Sequence, residues 1–525
     1  MIVNYCKFLI LRYLYRINTP KALINFALKK HGNKVVIIDN DTQVTMETLN
    51  NNVNRLCHGL LSKGVQKGDI IGVYLQNRKE YIEIRLAAYK CGFIFCALID
   101  DFTKNQRLET LIDIKCRVFF YDKRLTEKEI IEIKTNTKIE LCVSINDIPN
   151  AQSHYLNLFS KNETEPQTKI KPIEISAIGF TSGTTGKSKG ILWSHRAWLY
   201  SFYHFLLNSN VVTHNMIILH VVPLSTAGSL VLLPALVSGA KNMLMQSFDV
   251  EKIAQTIDGE KVTTLILPPA FLIELWDYFN ANKNDYHFSS LKSISVGSAV
   301  LPGSKWKEMI KTFGPIIQQS YGMAEVLAPI ASLRITKPDT KRLKFTSVGK
   351  VIPQVKLKLR ELDSNKRGVI CLRSKTSATG YWNREDLNRR HFQNGWFITE
   401  DIGKLDHHGN LYIIERIANI FKLNEEKVVP RGIEEIIHFY SGVKEVLVTK
   451  RGENIIAYIA IRRNFKIDTL QLKKFCSQLL PEILRPSTFI LLDHLPHSTS
   501  GKIQKDKLEL TFENVYTKIS VKPEK

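Results

Sequence analysis

Between residues 42 and 101, apolar positions recur at helical spacing through TMETLNNNVNRLCHGLLSKG and give way to the β-branched run DIIGVYL. Helical spacing returns in EYIEIRLAAYKCG, and the segment closes on FIFCALI. A period that switches between helix and strand in this order is βαβ grammar and predicts a parallel sheet. The runs VVIID, CRVFFYD, IELCVSI and TTLILP extend the strand count, and no 20–50-residue repeat suggests a solenoid. The polar stretch of residues 150–173 reads as a connection ahead of the strand EISAIGFTSG. After Arg416 the pattern restarts with a helix in IEEIIHFY, strands in KEVLVTK and NIIAYIAI, a helix in TLQLKKFCSQLL and a strand in FILLDHL. The expectation is an α/β protein. Residues 1–416 form a large N-terminal domain of parallel βαβ layers, and residues 417–525 form a small C-terminal α/β domain.

Composition agrees with a folded globular chain: 525 residues, 44% hydrophobic and 23% charged. Against 50 acidic residues stand 73 Lys and Arg, a formal charge of +23. Such a field favours anionic partners, nucleotides included. The lysines are spread without a run of five or six like charges, so a solvated basic surface is preferred to nucleic-acid binding. The eight cysteines are scattered and carry no CxxC pair, which points to reduced thiols and a cytoplasmic protein. The start, MIVNYCKFLILRYLYRINTP, is interrupted by Lys7, Arg12 and Arg16 and so lacks the apolar core of a signal peptide. It reads as an N-terminal helix packed on its own domain, with peripheral contact to a membrane surface as the alternative.

The densest chemistry lies in GFTSGTTGKSKGI, residues 179–191, where a strand runs into a loop of Gly, Ser, Thr and Lys. Unencumbered backbone N–H groups, hydroxyl donors and flexible cations are what a polyphosphate requires. The loop is not of the Walker A type, because that pattern would need Gly at position 181, where this chain has Thr.

The order of residues in TSGTTGKSKG, followed by SHR, resembles the signature loop of the adenylate-forming superfamily of acyl-CoA synthetases, amino-acid adenylation domains and luciferases. Further blocks appear in the family's order: GVQKGDIIGVYLQN, VGSAVLP, QSYGMAE, ATGYWNRED, GWFITEDIG and LPHSTSGKI. The resemblance implies that Thr181, Ser182, Gly183, Thr184, Thr185, Gly186, Lys187 and Lys189 close over the ATP phosphates. It also implies that Gly297, Ser298, Ala299, Tyr321 and Gly322 line the nucleotide site, with Tyr321 beside the adenine. Glu325 and Thr181 are then the Mg²⁺ ligands, Asp401 and Arg416 reach the ribose, and Lys502 is the adenylation lysine. A carboxylate would attack the α-phosphate, releasing pyrophosphate, and a thiol of CoA or of a carrier-protein phosphopantetheine would take the acyl group. Rotation of the small domain about a hinge at Ala418 would separate the two steps.

Several positions depart from the family pattern. Ala324 stands where most members have Thr, and Glu400 where they have Gly before Asp401. At the hinge, Glu415, Ala418 and Glu425 replace Gly, Asp and Gly; Glu425 is expected to lose access to the positive φ of a tight turn. Thr226 lies near the place of a His beside the acyl site. These changes leave CoA and a carrier protein both open as acceptors, with a nucleotide-binding protein without turnover as the rival reading. Pro223, Val300, Met323 and Val326 are expected in the acid pocket. Residues 223–230 hold no carboxylate to bind an amino group, which favours an apolar acyl or aryl acid over an amino acid.

Overall fold

The computed structural model describes residues 17–146, 153–180, 188–208, 215–226, 228–334 and 347–508. The expected N-terminal helix and the phosphate loop at residues 181–187 lie outside the described residues. Elsewhere the elements form for local reasons. The Thr45 hydroxyl accepts the Thr48 N–H at 3.1 Å and starts helix Met46–Ser62, whose stripe of Leu49, Val53, Leu56 and Leu60 is buried. Helix Lys79–Cys91 stops on Gly92 in a left-handed conformation. Between these helices, strand Ile70–Tyr74 is buried at every position, as a parallel strand covered on both faces must be.

Among the described residues the strands assemble into sheets of fourteen, eight, three and two. The eight-stranded sheet runs parallel through Ile175–Phe180, Ile94–Ala97, Ile70–Tyr74, Val118–Tyr121, Leu141–Ser144 and Ser153–His154, with Gly190–Ser194 antiparallel beside the first of these. The fourteen-stranded sheet runs parallel from Val35–Asp39 through Lys241–Leu244, Ile217–His220, Thr264–Leu267 and Ser293–Val296 to Ile317–Met323. Beyond that strand it becomes antiparallel, through Val326–Arg334, Gly349–Val351, Asn410–Arg416, Trp396–Leu405, Gly368–Arg373 and Lys356–Arg360. Here the structure departs from a purely βαβ expectation. The one helix described between residues 317 and 416, Glu385–His391, is too short for crossovers, and hairpins pair the strands instead.

Asn77 staples the two large sheets together. Its Nδ2 donates to the carbonyls of His220, Val222 and Met245 at 3.3, 3.0 and 3.0 Å, and its Oδ1 accepts the Leu224 N–H at 2.7 Å. Tyr81 adds a bond from its hydroxyl to Leu224 O at 2.7 Å. Segment 221–226 is thereby held rigidly against the end of strand Ile70–Tyr74.

The smaller C-terminal part has its own core. Helices Pro430–Ile437 and Thr469–Leu479 pack Ile433, Ile437, Leu472 and Cys476 on the sheet of Val443–Arg451, Asn454–Ile461 and Thr488–Leu492. Polar contacts join it to the large domain. Lys305 Nζ donates to Val443 O at 2.7 Å, and Arg462 pairs with Glu308 at 2.8 Å while its guanidinium lies 4.4 Å from the Trp276 ring centre. Burial and the neighbouring Arg462 pull the Lys305 pKa down to about 8. The seven described cysteines are buried and form no disulfide among the described residues, and among those residues no helix is long and apolar enough to cross a membrane.

The staple carries a stability prediction. Asn77→Ala leaves a buried N–H and the carbonyls without their partner and should lower the unfolding free energy by about 2–3 kcal/mol. Chemical denaturation of the two proteins checks this; equal midpoints would show that water replaces the side chain.

Candidate active site

Gly297 to Ala299 and Tyr321 to Glu325 stand where the parallel strands Ser293–Val296 and Ile317–Met323 end, the side of a sheet on which α/β folds bind ligands. Strand Ile175–Phe180 leads directly into residues 181–187, so Thr181, Ser182, Gly183, Thr184, Thr185, Gly186 and Lys187 fall outside the described residues, while Lys189 lies within them. Strand Ser293–Val296 leads into Gly297, Ser298 and Ala299, with Ser298 held left-handed at φ 69°. The buried Gln319 braces this loop: it accepts the Leu301 N–H at 2.9 Å and donates to Ala299 O at 3.1 Å.

Strand Ile317–Met323 carries Tyr321 and Gly322, then turns through Ala324 and Glu325 into Val326–Arg334, with Met323 opposite Val326. The turn is tied down on both sides. Trp193 Nε1 donates to Ala324 O at 2.8 Å, and Ala378 N–H donates to Glu325 O at 2.8 Å. Trp193 reaches that position only because Gly179 has no side chain, since a Cβ there would stand 2.1 Å from the indole. The missing hydroxyl at Ala324 therefore leaves a backbone carbonyl as the working polar group of that residue.

Asp401 and Arg416 face each other as cross-strand partners of Trp396–Leu405 and Asn410–Arg416. The Tyr321 hydroxyl donates to Asp401 Oδ2 at 2.6 Å, and the Tyr381 hydroxyl donates to Glu325 Oε1 at 2.9 Å. Burial first, and then the neighbouring carboxylate, pushes each phenol well above its ordinary value, so both tyrosines remain donors at neutral pH. Burial raises the Asp401 pKa and Glu400 adds to it, while Tyr321, Arg416 and Lys502 work the other way. Arg416 pairs with Glu400 at 3.2 Å.

Lys502 arrives from the C-terminal part. Its side chain is exposed to solvent, yet the protein packed around it lowers its pKa below the ordinary lysine value. Arg416 adds to the lowering; Glu325 and Asp401 oppose it. The structure thus brings together Glu325, Asp401, Arg416 and Lys502, which are up to 177 positions apart in the chain. Pattern reading missed Tyr381, Trp193 and Gln319 as site residues. Tyr381 and Gln319 lie inside the quoted blocks ATGYWNRED and QSYGMAE, and Trp193 follows the phosphate loop directly.

Among the described residues Glu325 Oε2 accepts no hydrogen bond, while Oε1 is oriented by Tyr381. A hard carboxylate oxygen fixed in this way suits Mg²⁺. The expected acid pocket is apolar. Val300 and Met323 pack partly buried against a cluster that includes the fully buried Val326. The Thr226 hydroxyl turns back to Pro223 O at 2.8 Å rather than toward a ligand.

At the junction after Arg416, the expectation for Glu425 is corrected. Glu425 sits at φ 69° and Asn424 at φ 45° in the turn between Phe421–Leu423 and Glu426–Val428, so the backbone keeps the glycine path with a side chain attached. A non-glycine residue there costs about 1–2 kcal/mol. Glu415 finds partners in the fold: Oε1 accepts from Arg416 N–H at 2.9 Å and Asn419 Nδ2 at 2.8 Å, and Oε2 accepts from Arg431 N–H at 3.1 Å. Ala418 lies in the short 3₁₀ turn Ile417–Asn419.

The sequence profile of the AMP-binding enzyme family matches residues 25–382. A medium/long-chain-fatty-acid–CoA ligase of Mycobacterium tuberculosis is 25% identical over 513 residues, covering 93% of this chain and 89% of that protein. An anthranilate CoA ligase solved with anthranoyl-AMP superposes with a TM-score of 0.84 at 21% identity, over 94% of this chain and 97% of its own. The O-succinylbenzoate coenzyme A synthetase of Bacillus subtilis, solved with ATP and magnesium ion, superposes with a TM-score of 0.78 at 24% identity, over 93% and 99%.

The Tyr321–Asp401 bond gives a titration prediction. The phenol stabilises the carboxylate and lowers its pKa, so Tyr321→Phe should move the Asp401 titration to higher pH. Carboxyl-carbon NMR of aspartate-labelled protein, assigned with Asp401→Asn, reads the midpoint. A midpoint that stays put or falls would mean that the bond does not set it.

Proposed function

The chain belongs to the AMP-binding enzyme family, and from that premise we propose how its residues divide the work of an AMP-forming acid–thiol ligase. The enzyme activates a carboxylic acid with ATP, releases pyrophosphate, and passes the acyl group from the adenylate to CoA. The observation that carries the assignment of roles is the convergence of Glu325, Asp401, Arg416 and Lys502 on one cleft.

In this reading Tyr321 and Gly322, with Gly297, Ser298 and Ala299, border the base. Asp401 accepts from the ribose hydroxyls, and Arg416 reaches the same ribose from its partner strand. Glu325, with Thr181 as its companion, would hold Mg²⁺, which would supply neutralisation of the phosphate charge. Lys502 approaches the acid carboxylate and the α-phosphate, offsetting the charge that builds up as the carboxylate oxygen attacks phosphorus. The protein supplies no nucleophile of its own. Its task is to align two anions that repel each other.

The acid enters beside Pro223, Val300 and Met323, with the fully buried Val326 in the core cluster behind them rather than in the lining. The apolar lining supports an acyl or aryl acid. Residues 1–416 and 417–525 act as two domains that reorient about Ala418 between the half-reactions, and a carrier-protein phosphopantetheine is the alternative acceptor. The basic N-terminal segment is the place where contact with a membrane surface would occur.

ATP–pyrophosphate exchange across fatty, aryl and amino acids identifies the acid class; exchange with amino acids alone would overturn the apolar assignment. Lys502→Ala should slow adenylate formation by about 100-fold or more while ATP binding changes only a few-fold, because the lysine serves the transition state more than the ground state. Transfer from a preformed acyl-adenylate should survive, and equal loss of both half-reactions would sink the role. At the hinge, Glu425→Gly combined with Ala418→Asp relieves the left-handed strain and restores the pivot carboxylate. If that shifts the rotated state by 1.4 kcal/mol, its population rises about tenfold. Thiol transfer to CoA or to a phosphopantetheinyl carrier should then rise more than adenylation does, and transfer rates unchanged with both acceptors would mark these positions as neutral.

A further inference from the structure

Lys502 sits on a loop that closes on itself. Ser498 N–H donates to Lys502 O at 2.8 Å, Lys502 N–H to Ser498 Oγ at 3.1 Å, Gly501 N–H to Ser498 O at 2.9 Å and Gln504 N–H to Pro496 O at 2.8 Å. His497 roots the loop in the C-terminal part through Glu445, 3.0 Å away. The tip, however, touches the large domain at two points. Gly501, at φ 75°, lies so close to Pro268 that a Cβ would stand 2.3 Å from the proline ring. Beside it, Thr499 binds Asp101: its N–H lies 3.0 and 3.1 Å from the two carboxylate oxygens, and its hydroxyl donates to Oδ2 at 3.1 Å.

Asp101 is itself well placed to serve as an anchor. It follows strand Ile94–Ala97 in a turn closed by Phe102 N–H to Ile99 O at 3.1 Å, and Asp100 beside it pairs with Arg124 at 3.0 Å. The Phe102 ring packs edge-on against Phe180, 6.0 Å between centres, and Phe180 is the last strand residue before the phosphate loop. The Asp101 turn and the phosphate loop therefore share a base. Among the described residues Asp101 hydrogen-bonds to Thr499 alone, so the contact holds neither part of the molecule folded and acts only across the junction.

We propose that Asp101 is a positioning residue for adenylation: by grasping Thr499 it fastens the Lys502 loop to the domain that carries the phosphate loop, and it lets go when the C-terminal part turns for thiol transfer. The proposal rests on the reading of Lys502 as the adenylation lysine. A lysine ends a flexible four-carbon stem, so the spread of its ammonium is set by how firmly the backbone a few residues away is held, and small misplacements in such a site cost large factors in rate. Asp101 touches neither substrate in this scheme; it acts through Thr499.

The test uses the full-length protein with Asp101→Ala, Asp101→Asn, Thr499→Val and Lys502→Ala. Pyrophosphate exchange is measured with dodecanoate and with benzoate, and thiol transfer with dodecanoyl-AMP and benzoyl-AMP plus CoA. Hydrogen exchange of the peptide spanning residues 496–504 reports the contact without any substrate. Asp101→Ala should speed exchange in that peptide and lower adenylation by about ten- to fiftyfold, the worth of hydrogen bonds to a charged acceptor, while transfer from the adenylates stays within about twofold. Asp101→Asn and Thr499→Val, each leaving part of the contact, should fall between wild type and Asp101→Ala. Equal loss in both half-reactions would make Asp101 merely structural, and faster exchange with intact adenylation would show a contact that positions nothing; either overturns the proposal. Lys502→Ala should slow adenylation by about 100-fold or more with the 496–504 peptide still protected. If instead it leaves adenylation intact, the role of Lys502 fails, while the Asp101→Ala peptide still reports whether the loop is fastened.

Discussion

Within the large domain Glu325 and Asp401 lie close to Arg416, and Lys502 joins them from across the seam with the C-terminal part; the rest of the site is arranged around keeping these two carboxylates and two cations together. Unit charges 4 Å apart interact by about 1 kcal/mol in water and about 4 kcal/mol at the intermediate dielectric of a protein cleft. The degree of enclosure therefore decides how strongly each group feels the others. Enclosure also threatens the ionised forms, visible in the upward push on Asp401 and the downward push on Lys502. Tyr321 and Tyr381 answer this by donating to the carboxylates without adding charge, and their own burial keeps them protonated.

The supporting architecture follows from that demand. Each charged group comes from a different element: a hairpin turn braced by Trp193, two paired strands that place Asp401 opposite Arg416, and a loop of the C-terminal part for Lys502. The seam across which Lys502 is delivered is polar, made by Lys305 with Val443, Arg462 with Glu308 and Asp101 with Thr499. A seam of hydrogen bonds and part-exposed ion pairs separates at lower cost than an apolar one, because water replaces its partners on opening. Most apolar burial is kept inside each part, with Gly501 against Pro268 and Arg462 over Trp276 as the packing contacts named across the seam.

The junction after Arg416 shows how substitutions at glycine positions are absorbed. Glu425 accepts the strained left-handed backbone and offers only an exposed pairing to Lys422 at 3.3 Å, which returns little. Glu415 is different, because its buried carboxylate takes up N–H donors of Arg416, Asn419 and Arg431 and knits the turn together. Nearby, burial and the charge of Glu415 push the Glu434 pKa up to about 7.

Local order was legible in the sequence. The βαβ alternation of residues 42–101, the strands at Val118–Tyr121 and Thr264–Leu267, and the restart after Arg416 depend on side-chain period and on caps such as Thr45, which act within a few residues. The ordered blocks also identified the family, because phosphate and nucleotide recognition needs particular residues at contiguous positions. What the sequence could not settle were relations between distant segments. The antiparallel continuation of the large sheet, the left-handed Glu425, the stapling of two sheets by Asn77, and the meeting of Tyr381 with Glu325 and of Asp101 with Thr499 all depend on how separate elements pack. Residue type and spacing determine which local conformations and chemistries are available; only the packed chain decides which of those groups lie within hydrogen-bonding distance, because that distance is set by elements tens to hundreds of residues apart.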